Sequence, residues 1–357
     1  MQENNNIQTA CSDRSHIDNC SEHARIGNTD DTKKHMPNPQ KPQCIIGQPS
    51  EKHYLQDTIN AIQGIGQTKT APCAPTGFAK LDKALGGGLY EGLSVIGAIS
   101  SIGKTSFTMQ AACQIALSGI GVIIFSLEEP RRSLMLKNIS RETALCAAQK
   151  GVPAKNVART ARELADGSRY AGYSNIEREV IECAAESFGK YADNIRVYEA
   201  GKAGQEIGVR QIRNAVSEHI SNIGSPPVVI VDFLQILAPN DKRSSDKQNT
   251  DRAVMELRGI GREFRAQVIA ISSLNRQSYR DPVTMESFKE SGAIEYISDV
   301  LIGMQLKGAS RKDFDPTAEK AKNPRSVELV ILKNREGEVG GVVPFAHYPA
   351  YSYFKEL

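Results

Sequence analysis

A lysine, a hydroxyl and two carboxylates, each set behind a short apolar run, equip this sequence to bind and cleave a nucleoside triphosphate. Lys104 and Thr105 close the segment A-I-S-S-I-G-K-T, residues 98–105. A loop through Ala98, Ile99, Ser100, Ser101, Ile102 and Gly103, continuing into Lys104, Thr105 and Ser106, can turn its backbone N–H groups toward phosphate oxygens. Lys104 can then reach the β- and γ-phosphates of ATP, and the Thr105 hydroxyl can hold Mg²⁺. Asp232 ends the run P-V-V-I-V-D (227–232), as a carboxylate for Mg²⁺ or its bound water would. Glu128, after G-V-I-I-F-S (121–126), is the candidate to orient or deprotonate the attacking water, and Glu129 competes with it as a solvated neighbour on the same turn. One position departs from G-x-x-x-x-G-K-[ST]: Ala98 stands at the first glycine, with Gly97 just before it.

Those groups need strands to carry them and a helix to follow the loop. Leu93, Val95 and Ile96 are β-prone, and after Thr105 the residues Phe107, Ala111, Ala112 and Ile115 recur at helical spacing. Further apolar runs at 121–126, 195–198, 228–231, 267–272, 300–305, 327–332 and 342–345 read as strands, the last closing the chain. Helical patterns fall at 131–190, with breaks near 151–153 and 167–172, at 207–223, and through Met255, Leu257, Ile260 and Phe264. Alternation of this kind implies an α/β fold, a mostly parallel sheet covered on both faces, with polar strand ends gathered at its carboxyl edge.

Residues 1–70 differ from the rest: rich in Asn, Gln, Ser, Asp and Lys, without a sustained period, they read as a mostly disordered segment with one short helix near 53–65. Cys11, His16, Cys20 and His23 lie close together there, but their spacing is not a usual zinc pattern and no apolar residues flank them. Residues 71–357 form the globular part. The net charge of +3 is too small to argue by itself for nucleic acid. The absence of an apolar run of ~18 residues or of a signal-peptide core argues for a cytoplasmic protein, and seven cysteines without framework spacing fit reduced thiols.

T-G-F-x-x-L-D (76–82), A-I-S-S-I-G-K-T, F-S-L-E, V-D-F-L-Q, S-S-L-N-R, K-E-S-G-A-I-E and K-N-R-E-G follow one another in this order. Together they resemble the C-terminal motor domain of DnaB-type replicative DNA helicases, a RecA-like P-loop NTPase. The resemblance covers about residues 75–357, and alanine at the first loop glycine is usual in that family. It implies a ring-shaped homo-oligomer, usually a hexamer, with ATP bound between subunits. Lys333 and Arg335 of K-N-R-E-G would reach the γ-phosphate on the neighbouring subunit, where a guanidinium offsets developing negative charge. Glu128 matches the family's catalytic glutamate, Asp232 its Walker B acid and Gln235 a glutamine without a firm role.

Single-stranded DNA would pass through the ring against two loops. One holds Lys242 and Arg243; the other includes Lys289, Glu290 and Gly292. Ser273 replaces a glutamine that senses the γ-phosphate in that family. A short hydroxyl is expected to reach less far, leaving the sensor role to Asn275 or Arg276. The family's helical N-terminal domain, which recruits primase, has no counterpart in 1–70, which suggests a stand-alone motor of the mobile-element or phage kind, meeting a primase or helicase loader as a separate partner. The competing readings are a RecA/KaiC/RadA-like ATPase in recombination and a non-motor ATP-binding adaptor or loader of a partner helicase.

Overall fold

Val122–Ser126 and Val228–Asp232 carry no polar residue before their last position, which suits strands covered on both faces, and both are buried throughout. The computed structural model describes residues 73–200, 206–237, 243–275, 279–288, 292–309 and 311–357. The short helix expected near 53–65 and the Cys11, His16, Cys20, His23 group lie outside them.

Nine strands among the described residues form one sheet. In chain order they are β1 Gly92–Ala98, β2 Val122–Ser126, β3 Ile195–Glu199, β4 Val228–Asp232, β5 Gln267–Ser273, β6 Val300–Leu306, β7 Arg325–Asn334, β8 Val342–Tyr348 and β9 Tyr353–Glu356. Their spatial order is β3-β2-β4-β5-β1-β6-β7-β8-β9. The first six are parallel to one another, and β7, β8 and β9 add antiparallel. The strand at 342–345 therefore does not close the chain: β9 follows, with an alternation too short for sequence patterning to register.

Among the described residues five long helices cover the sheet: α1 Lys104–Leu117, α2 Arg131–Gln149, α3 Asn175–Ala192, α4 Val209–Ile223 and α5 Asp246–Glu263. From β1 the chain moves across the sheet to β2 and β3, then reverses through β4, β5 and β6. Right-handed crossovers therefore set α1, α2 and α3 on one face and α4 and α5 on the other. The reversal leaves a crevice at the carboxyl ends of β1 and β5, where open α/β sheets bind ligands. α5 starts inside the expected polar loop, with Ser245 and Gln248 forming a capping box. Leu257 and Ile260 are buried as expected, but Met255 is exposed, and Ala253 and Val254 are buried in its place.

The helix after the phosphate loop is fixed from several sides. Phe107 stacks on Phe78 at 5.1 Å and meets Phe345 and Phe354 edge-on. The Gln110 amide donates to the Phe354 carbonyl at 2.9 Å and accepts from the Phe354 N–H at 2.8 Å, so β9 is pinned to α1 through one side chain. Cys146 and Cys183, expected as free thiols, form a disulfide across the packed helices α2 and α3, with Cα atoms 6.3 Å apart. A separation of 37 residues carries no sequence signal for that pairing; the helix packing creates it. Cys73 and Cys113 are free. No helix among the described residues is long and apolar enough to cross a membrane.

Gly97 shows why glycine precedes Ala98. A Cβ there would lie 2.3 Å from the Phe288 ring and 2.7 Å from Leu274 Cδ2. Gly97→Ala is expected to lower stability by about 1–3 kcal/mol through overpacking. Denaturant unfolding measures this; an unchanged midpoint would mean that Phe288 moves aside freely.

Candidate nucleotide-binding site

β1 delivers the chain into the loop 99–103, where the apolar side chains turn inward and the polar ones outward. Ile99 and Ile102 are buried, whereas Ser100 and Ser101 are exposed. Gly103 precedes the helix at φ 118°, and a Cβ there would meet the His347 ring at 2.6 Å, so the backbone lies directly on that imidazole. No side chain caps α1, which leaves its N-terminal turn suited to an anion.

Lys104, Thr105, Asp232 and Ser273 come together in the switch-point crevice. The Thr105 hydroxyl donates to Asp232 Oδ2 at 2.7 Å, and Lys104 Nζ donates to Ser273 Oγ at 3.3 Å. Ala98 and Ser273 are register partners on neighbouring parallel strands, which explains how the short serine reaches the lysine. Gln235 joins the network from the end of β4: it donates to Ser272 Oγ at 2.8 Å and accepts from the Ser273 N–H at 3.3 Å. Asn275 is engaged elsewhere, with its N–H on the Ser287 carbonyl and its amide on the Glu286 carbonyl. Arg276 lies outside the described residues.

Burial governs the charges. Asp232 is 5% exposed, and desolvation, helped by Glu128, pushes its carboxyl up to about 6 against the opposing Thr105 bond and Lys104 charge. Desolvation lowers the Lys104 ammonium, offset in part by Asp232 and Glu128. Asp232 Oδ1 is buried without a hydrogen-bond partner. An orphaned carboxylate oxygen beside a threonine hydroxyl fits a hard cation and its water shell, so Thr105 and Asp232 would hold Mg²⁺.

Glu128 and Glu129 separate clearly. Glu129 accepts from Lys137 Nζ at 2.6 Å and from Ser133 Oγ at 3.0 Å, and its carbonyl accepts from Ser126. Glu128 is exposed and lines the cleft of about 340 Å³ that contains Ser100, Ser101, Gly103, Lys104, Thr105 and Ser106. Both glutamates line the cleft, together with Lys137; Glu129 is held there by its ion pair with Lys137, and Glu128 is the more exposed of the two.

The phosphate loop also meets groups that sequence reasoning missed, of which Arg325 and His347 line the cleft. Lys320 Nζ donates to the Ser100 carbonyl and Arg325 Nη1 to the Ser101 carbonyl, each at 2.8 Å. The Ser100 N–H reaches Tyr279 Oη at 3.4 Å, and Lys320 lies over the Tyr279 ring. His347, stacked on Phe354 beneath Gly103, is driven down to about 3 by burial and the Arg325 charge, so it is neutral at working pH. Arg325 and Lys320 belong to a basic stretch with no local motif; only the fold brings them to the phosphate loop.

Lys333 and Arg335 lie elsewhere in the same chain. β7 runs antiparallel, so Lys333 pairs with Leu301, which is level with Val95. That places Lys333 about 10 Å back along the strands from Ala98 and roughly 10 Å across, toward the amino edge. Lys333 Nζ donates to the Glu295 and Tyr296 carbonyls at 2.6 and 3.1 Å, closing the helix Gly292–Ile297, and Arg335 pairs with Asp299 at 3.1 Å. Of the proposed DNA contacts, Arg243 is exposed just ahead of α5 and Gly292 opens its short helix, also exposed. Lys242, Lys289 and Glu290 lie outside the described residues.

Residues 73–356 match the family model for the DnaB-like helicase C-terminal domain. The chain is 27% identical over 288 residues to the replicative DNA helicase DnaC of Bacillus subtilis strain 168, and 26% identical over 290 residues to the replicative DNA helicase DnaB of Geobacillus stearothermophilus. Each alignment takes in 79% of this chain and 56% of the relative, so the chain spans about half the length of these curated relatives. Among solved structures, one described as an ATPase domain superposes with a TM-score of 0.68 at 23% identity, covering 87% of this chain and all of that one. A DnaB-like replicative helicase, described with its interactions with primase, superposes at 0.66 and 22% identity, covering 85% of this chain and 66% of that one. At these identities the two structures establish a shared fold.

The raised Asp232 predicts opposite effects on stability and Mg²⁺ binding. Between the ordinary carboxylate range and about 6 the folded protein binds the extra proton, so Asp232 costs stability as pH rises through that window. Asp232→Asn should therefore raise the stability of the Mg²⁺-free protein by roughly 1–3 kcal/mol at pH 7.5, with about half that gain at pH 5, while removing a carboxylate that would hold Mg²⁺. Thermal melts at the two pH values check the sign; equal gains at both would remove the desolvation argument.

Proposed function

Because this chain belongs to the DnaB-like helicase C-terminal domain family, we propose that it is an ATP-driven DNA helicase motor, moving along single-stranded DNA during replication. The observation that carries the reading is the division of cationic and acidic groups between two edges of one sheet. Lys104, Thr105, Asp232 and Glu128 gather at the carboxyl edge, and Lys333 and Arg335 sit toward the opposite one. Within one chain the two sets cannot meet on a single phosphate. A head-to-tail contact between copies brings them together, and such contacts close into rings; a hexamer is the form that fits the family.

In this mechanism the loop N–H groups and Lys104 hold the phosphates, and Thr105 and Asp232 place Mg²⁺. The metal, when bound, neutralises charge on the β- and γ-phosphate oxygens. Glu128 accepts the proton of the attacking water, aided by its freedom from the ion pair that occupies Glu129. Arg335 from the neighbouring copy offsets charge developing on the transferred group, with Lys333 beside it. Ser273 senses the state of the site through Lys104, and Gln235 holds Ser273 in place. DNA phosphates are contacted by cations and backbone N–H groups of the segments that hold Lys242 and Arg243, and Lys289, Glu290 and Gly292. The setting is the cytoplasm, with a primase or loader as a further partner.

The test is ATP turnover with and without an unstructured oligonucleotide, together with strand displacement on a forked duplex. Wild type should show DNA-stimulated turnover, and Arg335→Ala should keep nucleotide affinity within about twofold while losing about 10³-fold or more in kcat. Turnover near wild type in that variant would remove the shared-site mechanism.

A further inference from the structure

Arg335 is not an isolated cation. It belongs to a cluster in which one carboxylate, Asp299, serves several guanidinium groups. Arg258 takes Asp299 with two nitrogens: Nη2 lies 2.9 Å from Oδ1, and Nε lies 3.2 Å from both oxygens. Arg335 takes it with one, Nη1 to Oδ1 at 3.1 Å, and Arg262 stands at 4.0 Å. Asp299 is itself immobilised. Its Oδ2 accepts from the Leu93 N–H at 3.0 Å, its own N–H donates to the Leu93 carbonyl at 2.8 Å, and its carbonyl accepts the Arg335 N–H at 3.0 Å. Even the neighbouring backbone is shaped around it: Gly92 sits at φ 120°, where a Cβ would lie 2.5 Å from Oδ2.

We propose that Asp299 is the positioning residue for Arg335, holding the guanidinium by an ion pair rather than by the bidentate hydrogen bonds that Arg258 makes, so that its donors stay available to the phosphate of a neighbouring copy. The inference rests on the reading of Arg335 as a group acting in trans. The asymmetry of the two arginines is its physical basis. A guanidinium has five N–H donors, and a bidentate pair with a carboxylate fixes both partners. Arg258 has that fixed geometry and lies on α5, so it anchors the carboxylate to the fold. Arg335, 40% exposed at its side chain, has the loose geometry, so it keeps its direction yet can release. Because Asp299 is tied to Leu93 at the start of β1, Arg335 inherits its position from the strand that leads to this chain's own phosphate loop.

Mixed-oligomer complementation with the full 357-residue chain tests this. Asp299→Asn alone should lose about ten- to a hundredfold in kcat, the cost of a misdirected group, with KM for ATP within about twofold. Lys104→Ala is inactive alone but carries an intact Asp299 and Arg335. Equimolar mixing should restore turnover, because about a quarter of head-to-tail interfaces then pair a sound phosphate loop with a sound Arg335. Arg335→Ala mixed with Lys104→Ala should recover in the same way. Wild-type kcat for Asp299→Asn overturns the proposal, as does failure of Lys104→Ala to rescue it while Arg335→Ala is rescued. If neither variant is rescued, or wild type does not turn over, the shared-site reading falls and the proposal with it. Should Asp299→Asn not fold, Asp299→Glu, which keeps the charge but displaces it, is subject to the same outcomes.

Discussion

Asp232 is taken out of water beside Thr105 and Lys104, and the other groups of the site are arranged around the cost of doing so. A carboxylate at the end of a fully buried strand loses hydration, and the single bond from Thr105 does not replace it, since one oxygen remains without a partner. A cation and its waters, held beside the Thr105 hydroxyl, would supply the partner that this oxygen lacks. Lys104 is partly desolvated in the same place and is steadied by Ser273, which Gln235 in turn positions. Each group in the chain from Asp232 to Gln235 thus has its place set by a neighbour on another element of the fold.

Strand direction sets the second constraint. Parallel β1, β4 and β5 all end at one edge, so whatever follows them converges there. β7 turns back antiparallel, and the residues that follow it emerge at the other edge. The split keeps Lys333 and Arg335 apart from Lys104, Thr105 and Asp232 within one copy. The Asp299 cluster shows that the far edge is built with as much care as the near one, since two arginines, a backbone amide and a glycine are arranged around one carboxylate.

Much of the near edge is legible in the chain. Ile99 and Ile102 anchor the loop because apolar residues in that context have nowhere else to go, and the apolar runs before Glu128 and Asp232 announce strands buried on both faces. Met255 misleads because helical periodicity alone does not say where an apolar stripe ends. β9 escapes notice because four residues with one buried side chain give little pattern, although Gln110 holds that strand to α1.

Residue type and local periodicity were enough to specify the phosphate loop, the α/β alternation and the two candidate carboxylates. The sequence already favoured Glu128 over Glu129, and the folded chain added the ion pair of Glu129 with Lys137, eight residues away on the next helix. Folding also brought Lys320, Arg325 and His347 to the phosphate loop, Ser273 to Lys104, and Cys146 to Cys183. It placed Arg335 against Asp299 and away from its own chain's loop. The reason is common to all of these: hydrogen bonds, ion pairs and disulfides act over a few ångströms in space, whereas their partners stand from eight to more than two hundred residues apart, and only the packing of strands and helices converts the one separation into the other.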